Sequence, residues 1–364
     1  MDQEPQKILV RSTNWIGDAV MSLPAVEALR ARFPRAELVL VSKPWVSGVY
    51  ERSAAVDRQI VYDSQGEHRG SRGFARLIRQ IREEQFDAAI LLQNAFHAAW
   101  MTWRARIPVR IGYARDGRAP LLTRPVDAPG PAVYGHQAYS YLHLLFRAGI
   151  ISSPEPPQPF NEIRLETAPE ERTWAVRRLE ALGIQGPRFL IGLAPGASFG
   201  PAKRWPPARF AALADRLIEV LSADVLIFGS EAERALAEEI AGAMEHVPVI
   251  AAGDATLRQS MSLLERCRLV VTNDSGLMHV AAAMGLPVIA IFGSTDARAT
   301  GPFGPYARVV QHPVPCNPCG LRVCPIDFRC MEGVSVAMVY RAALEMVRQL
   351  GITHERAAED RGKQ

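Results

Sequence analysis

Apolar positions along the chain follow two alternating periods. Runs of strand length at 8–10, 37–42, 86–92 and 109–113 are separated or followed by helix-period segments at 19–33, 73–84, 94–104 and 136–148. A proline-rich passage at 152–160 interrupts the alternation, and prolines at that density suit a linker or a sheet edge. The pattern then restarts. Residues 189–194, 223–228, 247–251, 269–272 and 288–292 are near-continuous apolar runs, as in strands covered on both faces. Helical segments at 206–221, 231–244, 256–266 and 275–285 separate them. Such alternation predicts parallel sheets with right-handed crossovers. The expectation is an α/β protein of two Rossmann-like, doubly wound domains, 1–165 and 166–334, with a cleft between them. A helix at 335–350 is expected to pack back across the junction, and a charged tail fills 351–364.

A length of 364 residues suits two domains of ordinary size. Hydrophobic content of 48% and charged content of 22% are those of a globular chain. No apolar run approaches the ~18–20 residues that span a bilayer. The first six residues, Met-Asp-Gln-Glu-Pro-Gln, lack the basic and apolar regions of a signal peptide, so the expected compartment is the cytoplasm. The net charge of +4 matters less than its distribution. Between Gly66 and Arg124 there are eleven arginines, five acids and no lysine. An arginine-biased surface suits planar, bidentate recognition of phosphate or carboxylate. Arg69, Arg72, Arg115 and Arg118 are the candidates in or beside loops. Arg76, Arg79 and Arg82 fit equally well on the solvated face of a helix.

Two motifs in the second half follow apolar strands. Pro195-Gly-Ala-Ser-Phe-Gly-Pro-Ala-Lys-Arg-Trp-Pro206 offers backbone approach at Gly196 and Gly200, a hydroxyl at Ser198 and cations at Lys203 and Arg204. Such a turn holds a diphosphate without a metal, or it is an ordinary strand–helix loop with Trp205 packed on the core. Asn273-Asp-Ser-Gly-Leu-Met-His279 ends a strand and opens a helix. Free N–H groups at Ser275 and Gly276 favour an anion, and His279, one turn on, faces the same ligand. Asp274 reads as a partner for sugar hydroxyls or as a helix cap. Glu231 and Glu233, shortly after another strand end, read as ribose ligands or as first-turn acids. No Asp-x-Asp pair and no Gly-x-x-x-x-Gly-Lys-Ser/Thr loop occur, which argues against a carboxylate-held metal and excludes a P-loop hydrolase.

The first half places a carboxylate where a phosphate-binding turn would be. Asn14-Trp-Ile-Gly-Asp18 lies between the first strand and the first helix. Asp18 repels a phosphate there. It suits a general base that takes a proton from an attacking hydroxyl, or it caps the helix.

These three motifs together resemble glycosyltransferase family 9, the heptosyltransferases of lipopolysaccharide synthesis, over residues 7–308. The resemblance implies a GT-B fold, inversion at the transferred carbon and no required cofactor. It implies ADP-L-glycero-β-D-manno-heptose as donor and heptosyl-Kdo2-lipid A, the inner core of lipopolysaccharide, as acceptor. Carried over, Asp18 is the general base, and Lys203 holds the diphosphate and offsets charge on leaving ADP. Ser198, Ser275 and Gly276 hold phosphate, and Asp274 and His279 line the donor pocket. Peripheral contact with the cytoplasmic face of the inner membrane follows, and no nucleic-acid partner is expected. Other acceptors within the family, a GT-B-shaped nucleotide-sugar epimerase and a non-catalytic nucleotide-sugar binder are the competing readings. Outside that account, Cys316, Cys319, Cys324 and Cys330 form a C-x2-C-x4-C-x5-C cluster that suits either a structural zinc or free thiols packed in a loop.

Overall fold

The computed structural model describes residues 4–128, 130, 135–155, 164–186 and 188–351. Residues 156–163 of the proline-rich passage and the tail at 352–364 lie outside them. The chain divides into two compact units, Met1–Ile163 and Arg164–Gln364. The first holds six strands: β1 (Lys7–Arg11), β2 (Glu37–Ser42), β3 (Arg58–Val61), β4 (Ala88–Leu91), β5 (Val109–Tyr113) and β6 (Arg124–Val126). They pair in the order β3-β2-β1-β4-β5-β6, every pair parallel. The second holds β7 (Phe189–Ala194), β8 (Ala223–Ile227), β9 (Val249–Ile250), β10 (Leu269–Asn273), β11 (Val288–Phe292) and β12 (Ala307–Gln311). Their order is β12-β11-β10-β7-β8-β9, again all parallel.

Each sheet begins at its middle, grows to one edge, and then returns to the other side of its first strand. This creates a switch point between β1 and β4 in the first sheet and between β7 and β10 in the second. Open α/β sheets bind ligands outside the carboxyl ends of their strands at such points.

The central strands are buried along most of their length because helices cover both faces of a parallel sheet. In the first unit the helix Gly70–Glu83 buries Phe74, Leu77, Ile78 and Ile81 and turns Arg72, Arg76 and Arg79 to solvent. In the second, Pro207–Leu221 buries Phe210, Leu213, Ala214 and Leu217. Val339, Ala343, Met346 and Val347 of the C-terminal helix Val336–Gln349 join that same core.

Several elements escape the apolar pattern. Strands β3, β6 and β12 lie at sheet edges, pair on one side only and carry charged residues there, so they show no continuous apolar run. The helix Pro169–Ala181 buries only Ala175 and Leu179, too few to show a helical period.

Trp205 ties the second unit together. It is fully buried, meets Phe210 edge-on at 5.0 Å, and its indole N–H donates to the Val334 carbonyl at 2.8 Å. Trp205→Ala is expected to destabilise the protein by about 3–5 kcal/mol through the cavity it leaves, measured as a fall in the urea midpoint.

Candidate active site

The two second-half motifs lie side by side because β7 and β10 are neighbours, with Thr272 in register with Ala194. Side chains lock the loops beyond those strand ends. Asn273 donates from Nδ2 to the Pro195 carbonyl at 2.6 Å and accepts the Trp205 N–H at 3.1 Å. The Thr272 hydroxyl donates towards the Ala194 and Asn273 carbonyls. Lys203, in a 3-10 turn at Pro201–Lys203, then meets Asp274 at 2.6 Å. The pair is little exposed, at 12% and 5%. The second carbonyl-side partner of Asp274 is Thr295, whose hydroxyl donates to the same oxygen at 2.6 Å.

This arrangement changes several roles read from the motif. Asp274 does not cap the helix Gly276–Ala283; Ser275 does, accepting the Met278 N–H at 3.4 Å. Asp274 is engaged by Lys203 and Thr295 and so fixes the ammonium group in place. Gly276 begins the helix, where N–H groups lack intrahelical acceptors, and His279 is buried one turn on. Ser198 is exposed on the loop. The two loop glycines admit protein rather than open space. A methyl at Gly196 would overlap the Glu233 carboxylate, and one at Gly200 would overlap the Arg322 carbonyl. Glu233 is thereby brought against the Gly196 loop, while its other oxygen accepts the Ser230 N–H at 2.9 Å in a capping box. Glu231 instead pairs with Arg234 at 3.7 Å and is largely exposed.

Two contributors carry no signal in the motifs. Arg322 donates to the Phe199 carbonyl at 2.7 Å and accepts the Ala202 N–H at 3.1 Å, so it braces the Lys203 loop from outside. Ser294, beside Thr295 at the end of β11, is buried, and its hydroxyl has no partner. Both come from segments far away in sequence, and only the sheet order brings them here.

In the first unit Asp18 is the third residue of the helix Ile16–Arg32. The cap position belongs to Trp15, whose side chain makes no cap bond, so Asp18 is a first-turn acid rather than the cap. The helix packs on Gln137–Arg147, which delivers the buried phenol of Tyr141 to hydrogen-bond Asp18. Burial, then the Asp18 charge, holds that phenol well above its ordinary pKa, so it stays a neutral donor. Tyr50, fully buried and bonded to the Ser22 hydroxyl at 2.8 Å, is pushed up by burial in the same way.

Arg118 departs from its expected role as an acceptor ligand. It is fully buried and spends its donors on the Tyr113 carbonyl at 2.7 Å, the Gln93 carbonyl and the Asn94 side chain at 3.0 Å. Burial lowers its pKa to about 10, and it serves as an internal clamp across the end of β5. Arg69, Arg72 and Arg115 are exposed. The four cysteines of the sequence cluster lie near one another in the second unit. Among the described residues no group of three or more His, Cys, Asp or Glu side chains is arranged to hold a metal ion. Cys316 and Cys319 are exposed and Cys330 is buried, and the Cys324 sulfur accepts the Phe328 N–H at 3.3 Å.

Each domain is a doubly wound α/β unit with a charged side chain beside its switch point, a carboxylate in the first and a cation in the second. The model of glycosyltransferase family 9 (heptosyltransferase) matches residues 74–328. Lipopolysaccharide heptosyltransferase 2 of Escherichia coli K12 is 32% identical, covering 84% of this chain and 88% of its own. Lipooligosaccharide heptosyltransferase 2 of Haemophilus ducreyi is also 32% identical, with the same coverage. The solved structure of the E. coli ADP-heptose lps heptosyltransferase II superposes with a TM-score of 0.80 at 28% identity, over 95% of this chain and 99% of that one. The chain belongs to glycosyltransferase family 9, the heptosyltransferase family, and has its GT-B fold of two Rossmann-like domains. No helix among the described residues is long and apolar enough to cross a membrane.

Asp274→Ala leaves the Lys203 ammonium without its carboxylate in a largely buried setting, and is expected to cost about 3 kcal/mol. Ser275→Ala removes only a cap and is expected to cost about 1 kcal/mol. Thermal unfolding of the two variants checks that order, and equal losses would mean that the ion pair contributes no more than the cap.

Proposed function

We infer that this chain transfers L-glycero-D-manno-heptose from ADP-heptose to heptosyl-Kdo2-lipid A, the acceptor of the second inner-core heptose. The family membership and the names of the relatives above support that donor and acceptor. The observation that carries the mechanism is the distribution of charge between the two switch points. Lys203 is held by Asp274 beside the opening turn of a helix, where a diphosphate finds an ammonium group and free N–H donors together. Asp18 occupies the equivalent turn of the other domain, where it repels phosphate and is held by a phenol.

In the reaction the acceptor hydroxyl oxygen attacks the anomeric carbon of the heptose. Asp18 accepts the hydroxyl proton as the new carbon–oxygen bond forms. The bond to the β-phosphate breaks with inversion, and ADP leaves with its added charge against Lys203. Gly276 and Ser275 supply N–H groups to the phosphates, and His279, Ser198 and Glu233 border the donor. Lys203 supplies the countercharge, so the reaction as drawn needs no metal. Because the acceptor is a lipid, the enzyme works at a membrane surface, the cytoplasmic face of the inner membrane. Exposed Trp15, Trp45, Phe96 and Trp103 on the first domain, with Arg69, Arg72 and Arg115, suit that surface.

Asp18→Asn is expected to lower kcat for heptose transfer by about 10²–10⁴-fold while ADP-heptose affinity is retained. Lys203→Met is expected to weaken ADP binding by about tenfold or more, as for a hydrogen bond to a charged group. Transfer followed by mass spectrometry of the lipid acceptor, with calorimetric titration of ADP, reads both. Undiminished transfer in Asp18→Asn would remove the carboxylate from the reaction.

A further inference from the structure

The first domain contains a second concentration of charge that the mechanism above does not use. It is built at the carboxyl ends of four adjacent strands. Arg11 is the last residue of β1, Lys43 follows β2, and Tyr62, Ser64 and His68 follow β3. His97 stands on the helix Phe96–Arg104 after β4. These are the strand ends at which a doubly wound sheet receives ligands.

Arg11 and Lys43 are both deeply buried, at 2% and 8% exposure. Among the described residues neither forms an ion pair with an acid. Arg11 donates to the Ser12 carbonyl at 2.5 Å, the Val41 carbonyl at 3.1 Å and the Asn14 amide oxygen at 2.8 Å. Lys43 donates to the Ser64 hydroxyl at 2.6 Å and lies 3.6 Å from the centre of the Tyr62 ring. The nearby acid, Asp63, accepts the N–H groups of Gln65 and Gly66 on Oδ1 and acts on Lys43 through space without ion-pair contact. A third donor is left over. His68 accepts the Asp63 N–H on Nδ1, so its proton sits on Nε2, which is buried and has no partner. His68 packs edge-on against Tyr62 at 6.0 Å, and His97 stacks on the other ring contact at 5.9 Å. Exposed His97 and Trp45, the latter 5.8 Å from the Lys43 ammonium, carry the cluster to the surface.

Burying like charges without a counterion opposes folding, and such groups are usually paired. Two buried cations and an orphan N–H, with Asp63 acting on Lys43 only through space, leave a charge balance that an anion would complete. We propose that Arg11, Lys43 and His68 form a subsite for one anionic group, a carboxylate or a phosphate, of the sugar acceptor. The subsite orients the acceptor on the domain that carries Asp18. It rests on the transferase reading for the identity of its ligand, but not for its affinity for an anion. Burial, with the Arg11 charge, lowers the Lys43 ammonium to about 8, and burial lowers Arg11 to about 10, as expected for cations waiting for a partner.

The test uses the whole chain. Inorganic phosphate and the free acid sugar 3-deoxy-octulosonate are titrated separately while Trp45 emission is followed, with Trp45→Phe as the control for the other tryptophans. Wild type is expected to give a saturable change with one of the two, and the responding anion identifies the group. Lys43→Met is expected to weaken that binding about tenfold or more, and Lys43→Arg to restore part of it. In the transfer assay Lys43→Met is expected to raise the acceptor KM by a similar factor, with the ADP-heptose KM and the melting temperature held. No response to either anion, an equal response in Lys43→Met, or an unchanged acceptor KM overturns the subsite. A wild-type chain that binds the anion and transfers no heptose leaves the subsite standing and removes the transferase reading instead.

Discussion

The second domain depends on one pairing, that of β7 with β10. These strands are far apart in sequence, yet their register sets Ala194 against Thr272 and so brings the two following loops together. The hydrogen bonds from Asn273 to Pro195 and from Trp205 to Asn273 then fix those loops at a spacing at which Lys203 reaches Asp274. A lysine on a free loop carries four rotatable bonds and loses much entropy on ordering. Held by a carboxylate and a hydroxyl network, it presents its charge in one place, which is what stabilisation of a leaving group requires.

The same architectural position has opposite electrostatics in the two domains. A strand–turn–helix unit presents N–H groups and a positive dipole end, and the second domain adds Lys203 to it. The first domain adds Asp18 instead, so the turn there carries a negative rather than a positive side chain. Tyr141 hydrogen-bonds Asp18, Tyr50 lies within reach of its charge, and burial keeps both phenols neutral.

Charge is also left unbalanced where function gains from it. Arg118 and Arg11 are both buried arginines, but their surroundings differ. Arg118 saturates its donors on carbonyls and an amide and closes a loop, which is a structural use. Arg11 shares its neighbourhood with Lys43 and an orphan histidine N–H, and among the described residues neither cation makes an ion pair. Proteins commonly carry such local instability at binding sites, because the ligand completes the electrostatics.

The alternation of apolar runs was enough to establish the α/β class and the doubly wound character of both domains, because strands buried on both faces and helices with one apolar stripe leave different periods. The motifs around Asp18, Lys203 and Asp274 were equally legible, since glycine, a charge and a helix start at fixed spacing are local features. The edge strands β3, β6 and β12 and the helix Pro169–Ala181 were not, because elements that bury little need no strict pattern. Only the tertiary structure decided which partner each charge has. Arg118 reads from sequence like Arg115, yet one is an internal clamp and the other is exposed. The pairing of Asp274 with Lys203, the reach of Glu233 to Gly196 and the company of Arg11, Lys43 and His68 all join residues separated by tens of positions. Sequence periodicity records burial along one element, whereas strand order sets which elements meet, and the electrostatics of a site belong to that meeting.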